Sequence, residues 1–139
     1  MATKFFLCTT CGNVVVKLVD SGVIPVCCGK QMVEIVPGTM DASKEKHLPV
    51  IECGDGCMIT VKVGSQPHPM TNGHHVAFIC VETENGVQIR YLDPTGEPEA
   101  EFCVCADKAT AVYEYCNIHG LWKTENIEDQ DCECSCCKD

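Results

Sequence analysis

The sequence predicts an all-β protein, with a small metal-stapled β unit followed by a larger β-sandwich. Three observations carry that expectation. Four cysteines, Cys8, Cys11, Cys27 and Cys28, crowd the start of the chain. Short β-branched or alternating runs recur between turn signals from residue 48 to residue 116. No segment has both the length and the 3.6-residue apolar period of an amphipathic helix.

Residues 1–36 form the first unit. Phe5-Phe6-Leu7 leads into Cys8-Thr9-Thr10-Cys11-Gly12, and the β-branched run from Val14 to Val19 reads as a strand. Asp20-Ser21-Gly22 signals a turn, after which the chain returns to Cys27-Cys28-Gly29. A unit this short cannot bury enough apolar surface to fold unaided, and a bound metal would supply what is missing. Pro37-Gly38 marks the boundary.

Residues 37–126 form the second domain. Strands are expected at 48–53, 57–63, 75–83, 87–92, 101–105 and 109–116. Gly54-Asp55-Gly56, Asn72-Gly73, Asn85-Gly86 and Asp93-Pro94-Thr95-Gly96 break them with turn chemistry. Short strands at regular spacing point to a β-sandwich. Residues 127–139 are an acidic, cysteine-rich tail with no strand pattern. Cys132, Cys134, Cys136 and Cys137 read there as a mobile end that picks up soft metals rather than as a built site.

The formal net charge of −10 argues against nucleic acid or an anionic membrane as partner. No apolar run approaches the roughly 20 residues that span a bilayer. Met1 to Leu7 lacks the pattern of an export signal, so a cytoplasmic location is expected. Fourteen cysteines then favour metal ligation over a disulfide framework.

Cys8-x2-Cys11 puts two thiolates on one tight loop, and Cys27-Cys28 supplies the other half of a tetrahedron. Zinc and iron both accept four thiolates, and the spacing does not choose between them. Adjacent ligands cannot form the relaxed chelate loop of Cys-x2-Cys, so a distorted tetrahedron is expected.

All five histidines lie in the second domain: His47, His68, the pair His74-His75, and His119 in Cys116-Asn117-Ile118-His119. Any one alone would read as an ordinary surface or core histidine. Together with Cys116 they form a candidate five-donor set. Consecutive residues in extended backbone face opposite ways, so at most one of His74 and His75 should contribute. Alternation alone does not say which. Five donors argue against a closed four-ligand zinc site, whereas imidazoles with a single thiolate suit iron.

The chain resembles the desulfoferrodoxins across residues 1–126. The resemblance rests on Cys8-Thr9-Thr10-Cys11 with Cys27-Cys28, Glu45-Lys46-His47-Leu48-Pro49-Val50, His68-Pro69-Met70 with His74-His75, and Cys116-Asn117-Ile118-His119-Gly120-Leu121-Trp122. It implies a desulforedoxin-like N-terminal metal domain followed by an immunoglobulin-like β-sandwich. It implies two Fe ions per chain, one on Cys8, Cys11, Cys27 and Cys28. The other would sit on His47, His68, His74 and His119 in a plane, with Cys116 axial. The resemblance thus selects His74 over His75.

The implied activity is superoxide reduction to hydrogen peroxide at the position opposite Cys116. Lys46 would draw in the anion, and Glu45 would occupy the open position once the iron is ferric. A rubredoxin-type electron donor and a homodimer are implied as partners. One departure is Val76-Ala77-Phe78-Ile79, where the family often has Ile-Glu-Trp-Ile. Superoxide dismutation, pure electron transfer and metal storage are the competing readings. Cys53, Cys57, Cys80, Cys103 and Cys105 read as core or strand fillers.

Overall fold

The computed structural model describes residues 3–38, 47–54, 58–104 and 108–125. The chain divides into two compact units, Met1–Val36 and Pro37–Asp139. Every described element is a strand, and none of the described residues forms a helix able to cross a membrane.

The first unit holds β1 (Phe5–Leu7), β2 (Val14–Val16), β3 (Val26–Cys27), β4 (Lys30–Gln31) and β5 (Val33–Glu34). β1 pairs antiparallel with β2 and β5, and β3 with β4 forms a separate hairpin. Its apolar centre is small: Phe6, Cys8 and Met32, with Cys27 against them. β2 stops at Val16 instead of continuing to Val19. The Lys17 ammonium donates to Asp20 Oδ1 at 2.8 Å and to the Val23 carbonyl at 2.6 Å. Asp20 Oδ1 also accepts the Gly22 N–H at 2.9 Å, and the chain turns early. Leu18 and Val19, read as strand residues, are left 83% and 87% exposed.

The second unit is a two-sheet antiparallel sandwich. One sheet orders β10 (Glu99–Cys103), β7 (Met58–Val63) and β6 (Pro49–Cys53). The other orders β12 (Gly120–Glu125), β11 (Ala109–Cys116), β8 (Val76–Thr83) and β9 (Gly86–Tyr91). Seven strands in two sheets give the immunoglobulin-like arrangement. Strand alternation sends Ile51, Ile59, Val61, Val63 and Phe102 inward from the first sheet. Val76, Ile79, Val81 and Val112 meet them from the second.

β12 has no counterpart among the expected strands. It pairs with β11 from Cys116↔Gly120 to Ala111↔Glu125, and Gly120 at φ 84° lets the chain reverse after only three residues. The expected strand 101–105 begins two residues earlier, at Glu99. Among the presumed filler cysteines, Cys80 is fully buried and Cys103 is exposed at the end of β10. Cys53 departs from that reading: it stands exposed at the end of β6 and is disulfide-bonded. Cys57, Cys105 and the tail cysteines lie outside the described residues.

The difference between the exposed residues after β2 and the core is testable. Ile79→Ala, at a fully buried position, is expected to cost about 2–5 kcal/mol. Leu18→Ala should stay within about 0.5 kcal/mol of the parent. Urea unfolding of the two variants measures both.

Candidate metal centres

The first centre is built by two tight turns. Cys8 follows β1, and its loop closes with the Gly12 N–H donating to the Cys8 carbonyl at 2.9 Å. The Cys11 N–H points back at Cys8 Sγ, 3.5 Å away. That donor holds the Cys8 thiol down at about 6. Cys27 ends β3 opposite Lys30, so Cys28 and Gly29 are the two turn residues of the hairpin. Both take left-handed backbone, φ 54° and 75°, as a type I′ turn demands. This is how adjacent cysteines reach one point. For Cys28 this is a conformation that non-glycine residues adopt at a cost of about 1–2 kcal/mol.

The four sulfurs lie within 4.8 Å of one another. Cys11 Sγ is 3.6 Å and Cys28 Sγ 4.0 Å from Cys27 Sγ. A tetrahedron with metal–sulfur bonds of about 2.3 Å has edges of about 3.8 Å, so the set fits a metal ion. Without one the thiols crowd each other, and the sulfurs of Cys11, Cys8 and Cys27 push Cys28 up to about 12.

The second centre gathers at one end of the sandwich. His47 precedes β6, His68 and His74 lie on the β7–β8 connection, and Cys116 and His119 sit on the β11–β12 hairpin. The four imidazoles close a ring. Centroids are 5.2 Å apart for His47–His68, 4.8 Å for His68–His74, 5.0 Å for His74–His119 and 4.7 Å for His119–His47. Neighbouring planes cross at 61° to 80°, so the rings stand like vanes around a common centre. In a planar square of that edge each centroid lies roughly 3.5 Å from the middle. An imidazole bound through a nitrogen at about 2.1 Å would place its centroid at roughly 3.2 Å.

Cys116 is fully buried, and its sulfur groups with donor nitrogens of His47 and His68 and also with those of His74 and His119. Burial raises its thiol, while the N–H groups of His119 and Ile118 oppose that shift. The His119 N–H lies 3.4 Å from the sulfur.

Each histidine is oriented differently. His68 is buried, and its Nδ1 stands 2.7 Å from the Pro69 carbonyl. A carbonyl only accepts, so Nδ1 carries the proton and Nε2 turns a lone pair inward. That Nε2 is buried without a hydrogen-bond partner, the state expected of a metal ligand. Burial pushes His68 down to about 4, with the other three histidines adding to the effect. His47 is stacked on Trp122 with centroids 4.9 Å apart and planes 11° off parallel. Gly38 lies against the same indole: a Cβ there would come within 2.6 Å of the ring.

His74 stands in the ring between His68 and His119, whereas His75 Nδ1 turns to the Thr71 carbonyl at 3.0 Å. Glu45 and Lys46 lie outside the described residues. Trp122 was visible in the sequence only as part of a motif, and neither its stacking role nor the neighbouring glycine had any signal beyond the Pro37-Gly38 boundary.

Comparisons with known proteins point to one family. Residues 39–125 match the family model for desulfoferrodoxin. A desulfoferrodoxin of Nitratidesulfovibrio vulgaris is 44% identical over 123 residues, covering 88% of this chain and 95% of the relative. A superoxide reductase of Thermococcus kodakarensis is 40% identical over 102 residues, with coverage of 61% and 89%. The crystal structure of the superoxide reductase from Treponema pallidum superposes with a TM-score of 0.77 at 34% identity. It covers 89% of this chain and 98% of that one.

His68 gives the metal-free protein an acid sensitivity. Its folded-state value is depressed to about 4 from the usual 6.5, so the unfolded chain takes up the proton first. Stability should hold above about pH 6.5 and fall as pH drops through that value toward 4. Thermal unfolding of the metal-free protein between pH 7 and 4 should show the decline, and His68→Asn should flatten it.

Proposed function

Since the chain belongs to the desulfoferrodoxin family, we propose that it is a superoxide reductase. In this reading one non-haem iron is held by His47, His68, His74, His119 and Cys116, and a second by Cys8, Cys11, Cys27 and Cys28. The observation that carries it is the closed ring of four imidazoles over a buried cysteine sulfur. Five donors suit neither a closed zinc site nor a simple staple.

When bound in that ring, iron would supply the redox chemistry of the reading: one electron from its ferrous state, with two protons from solvent, would convert superoxide to hydrogen peroxide. The protein does the rest. His68 holds its proton at Nδ1, away from the centre, and keeps Nε2 available at neutral pH. Trp122 sets the plane of His47. Cys116, fully buried, contributes a negative charge shielded from water that enriches the electron density of the centre. The side of His119 is exposed, which leaves the ring accessible to a small anion.

Lys46 precedes His47 and supplies local attraction that the net charge of −10 opposes at long range. Glu45 acts on the oxidised resting state only. The reductant is a rubredoxin-type protein, and the first centre either relays its electrons or supports the fold. A homodimer is part of the reading. Val23, Ile24 and Val36 on the first unit are exposed apolar side chains that a second copy could cover. So is a cytoplasmic location, where the first-centre thiols, free here, would stay reduced.

Superoxide consumption should require an external reductant and release no oxygen. Oxygen evolution without reductant would make the protein a dismutase. His74→Ala should bleach the ferric thiolate charge-transfer band, and His75→Ala should leave it in place. The opposite pattern would exchange the two assignments.

Lys46→Ala is expected to slow the second-order reaction with superoxide about tenfold, equivalent to about 1.4 kcal/mol. Salt should slow the parent by screening the attraction. Pulse radiolysis over a salt series reads both, and Glu45→Ala should leave the rate nearly unchanged.

A further inference from the structure

His74 reaches the second centre from the β7–β8 connection. His47 is clamped by an indole and His68 is pinned by a carbonyl, but His74 rides a half-exposed loop. Its own backbone bonds are local. The His74 N–H donates to Thr71 O at 3.2 Å and Thr71 Oγ1 at 3.0 Å, and the His74 carbonyl accepts the Thr71 N–H at 2.9 Å. These shape the turn without fixing where it stands relative to the rest of the ring.

That link is made by Asn117. Its N–H donates to the His75 carbonyl at 3.1 Å, carrying the β8–β11 pairing past the irregularity at Tyr115/Cys116. Its Oδ1 accepts the His75 N–H at 2.8 Å, and its Nδ2 donates to the Gly73 carbonyl at 3.1 Å. The peptide groups on both sides of His74 are therefore held by one side chain. That side chain stands on the same three-residue loop as His119, directly after Cys116. A carboxamide carries a donor and an acceptor side by side on one planar group, which suits asparagine to the place.

We propose that Asn117 is a positioning residue that sets His74 in register with Cys116 and His119. The inference rests on the reading of this ring as an iron centre. Outer hydrogen-bond partners of metal ligands commonly change metal affinity by about 10–100-fold when removed. Asn117 would act in that way through the backbone of the ligand rather than through its ring nitrogen.

The test uses the full-length, iron-loaded protein and follows the ferric thiolate band of the second centre during iron release to excess chelator. Asn117→Ala and Asn117→Leu should both release iron about tenfold or more faster than the parent and shift or broaden the band. In a His74→Ala background, where that band is bleached, release is read from the absorbance of the iron–chelator complex, and Asn117→Ala should change its rate by less than about twofold, because the residue it positions is gone.

Unchanged release and an unchanged band in both single variants would overturn the proposal, as would an equally large effect of Asn117→Ala without His74. A lowered melting temperature of the chelator-stripped variants, with band and release unaltered, would assign Asn117 to fold stability alone and also overturn it. A parent protein with no thiolate band would refute the iron-centre reading itself before any variant is compared.

Discussion

Everything at the working end of the second unit answers to one constraint: five donor atoms from three distant stretches of chain must point at one small volume. Buried nitrogen lone pairs and a buried sulfur are costly where nothing binds them. The sandwich meets the constraint by ending its strands together. β6 and β8 begin just after His47 and His75, β11 ends on Cys116, and β12 begins just after His119. The register Cys116↔Val76 and Cys116↔Gly120 aligns the last three of these ends across one sheet. The packed core of Val61, Ile79, Val81, Val112 and Phe102 keeps them rigid.

The first unit solves the opposite problem. It has only a small core, and two of its four cysteines, Cys11 and Cys28, are exposed. Strain at Cys28 and thiol crowding would destabilise so small a fold if the sulfurs stayed unligated. A metal ion reverses the sign, because the same crowding becomes coordination. One centre is thus a product of its fold, while the other is a condition for it.

Much of this was legible in the sequence. The expected sandwich strands landed within a few residues because β-branched alternation and turn residues agree over 48–116. β12 was missed because Gly120, Leu121 and Trp122 read as the end of a ligand motif, and only pairing with β11 makes them a strand. β2 was overextended because propensity favoured Val14 to Val19, while the Lys17–Asp20 pair turned the chain earlier. Alternation required His74 and His75 to diverge but could not name which faced the ring. That choice depends on where the Thr71 turn points. The contacts of Asn117 and Trp122 span 42 or more residues or run between rings, and no local pattern encodes them.

The contact between Gly38 and Trp122 bears on how the protein can be divided. Gly38 donates its N–H to the Leu121 carbonyl at 2.9 Å and accepts the Lys123 N–H at 2.9 Å, running parallel to β12. It lies by sequence beside the boundary between the units, yet by contact it belongs to the wall behind His47. A stand-alone second unit would therefore have to keep Pro37 and Gly38. Cutting the chain after Gly38 would remove the backing of the indole and strip β12 of a main-chain neighbour. The seam between the units lies before Pro37, and the residues that look like linker are the outermost layer of the histidine ring's support.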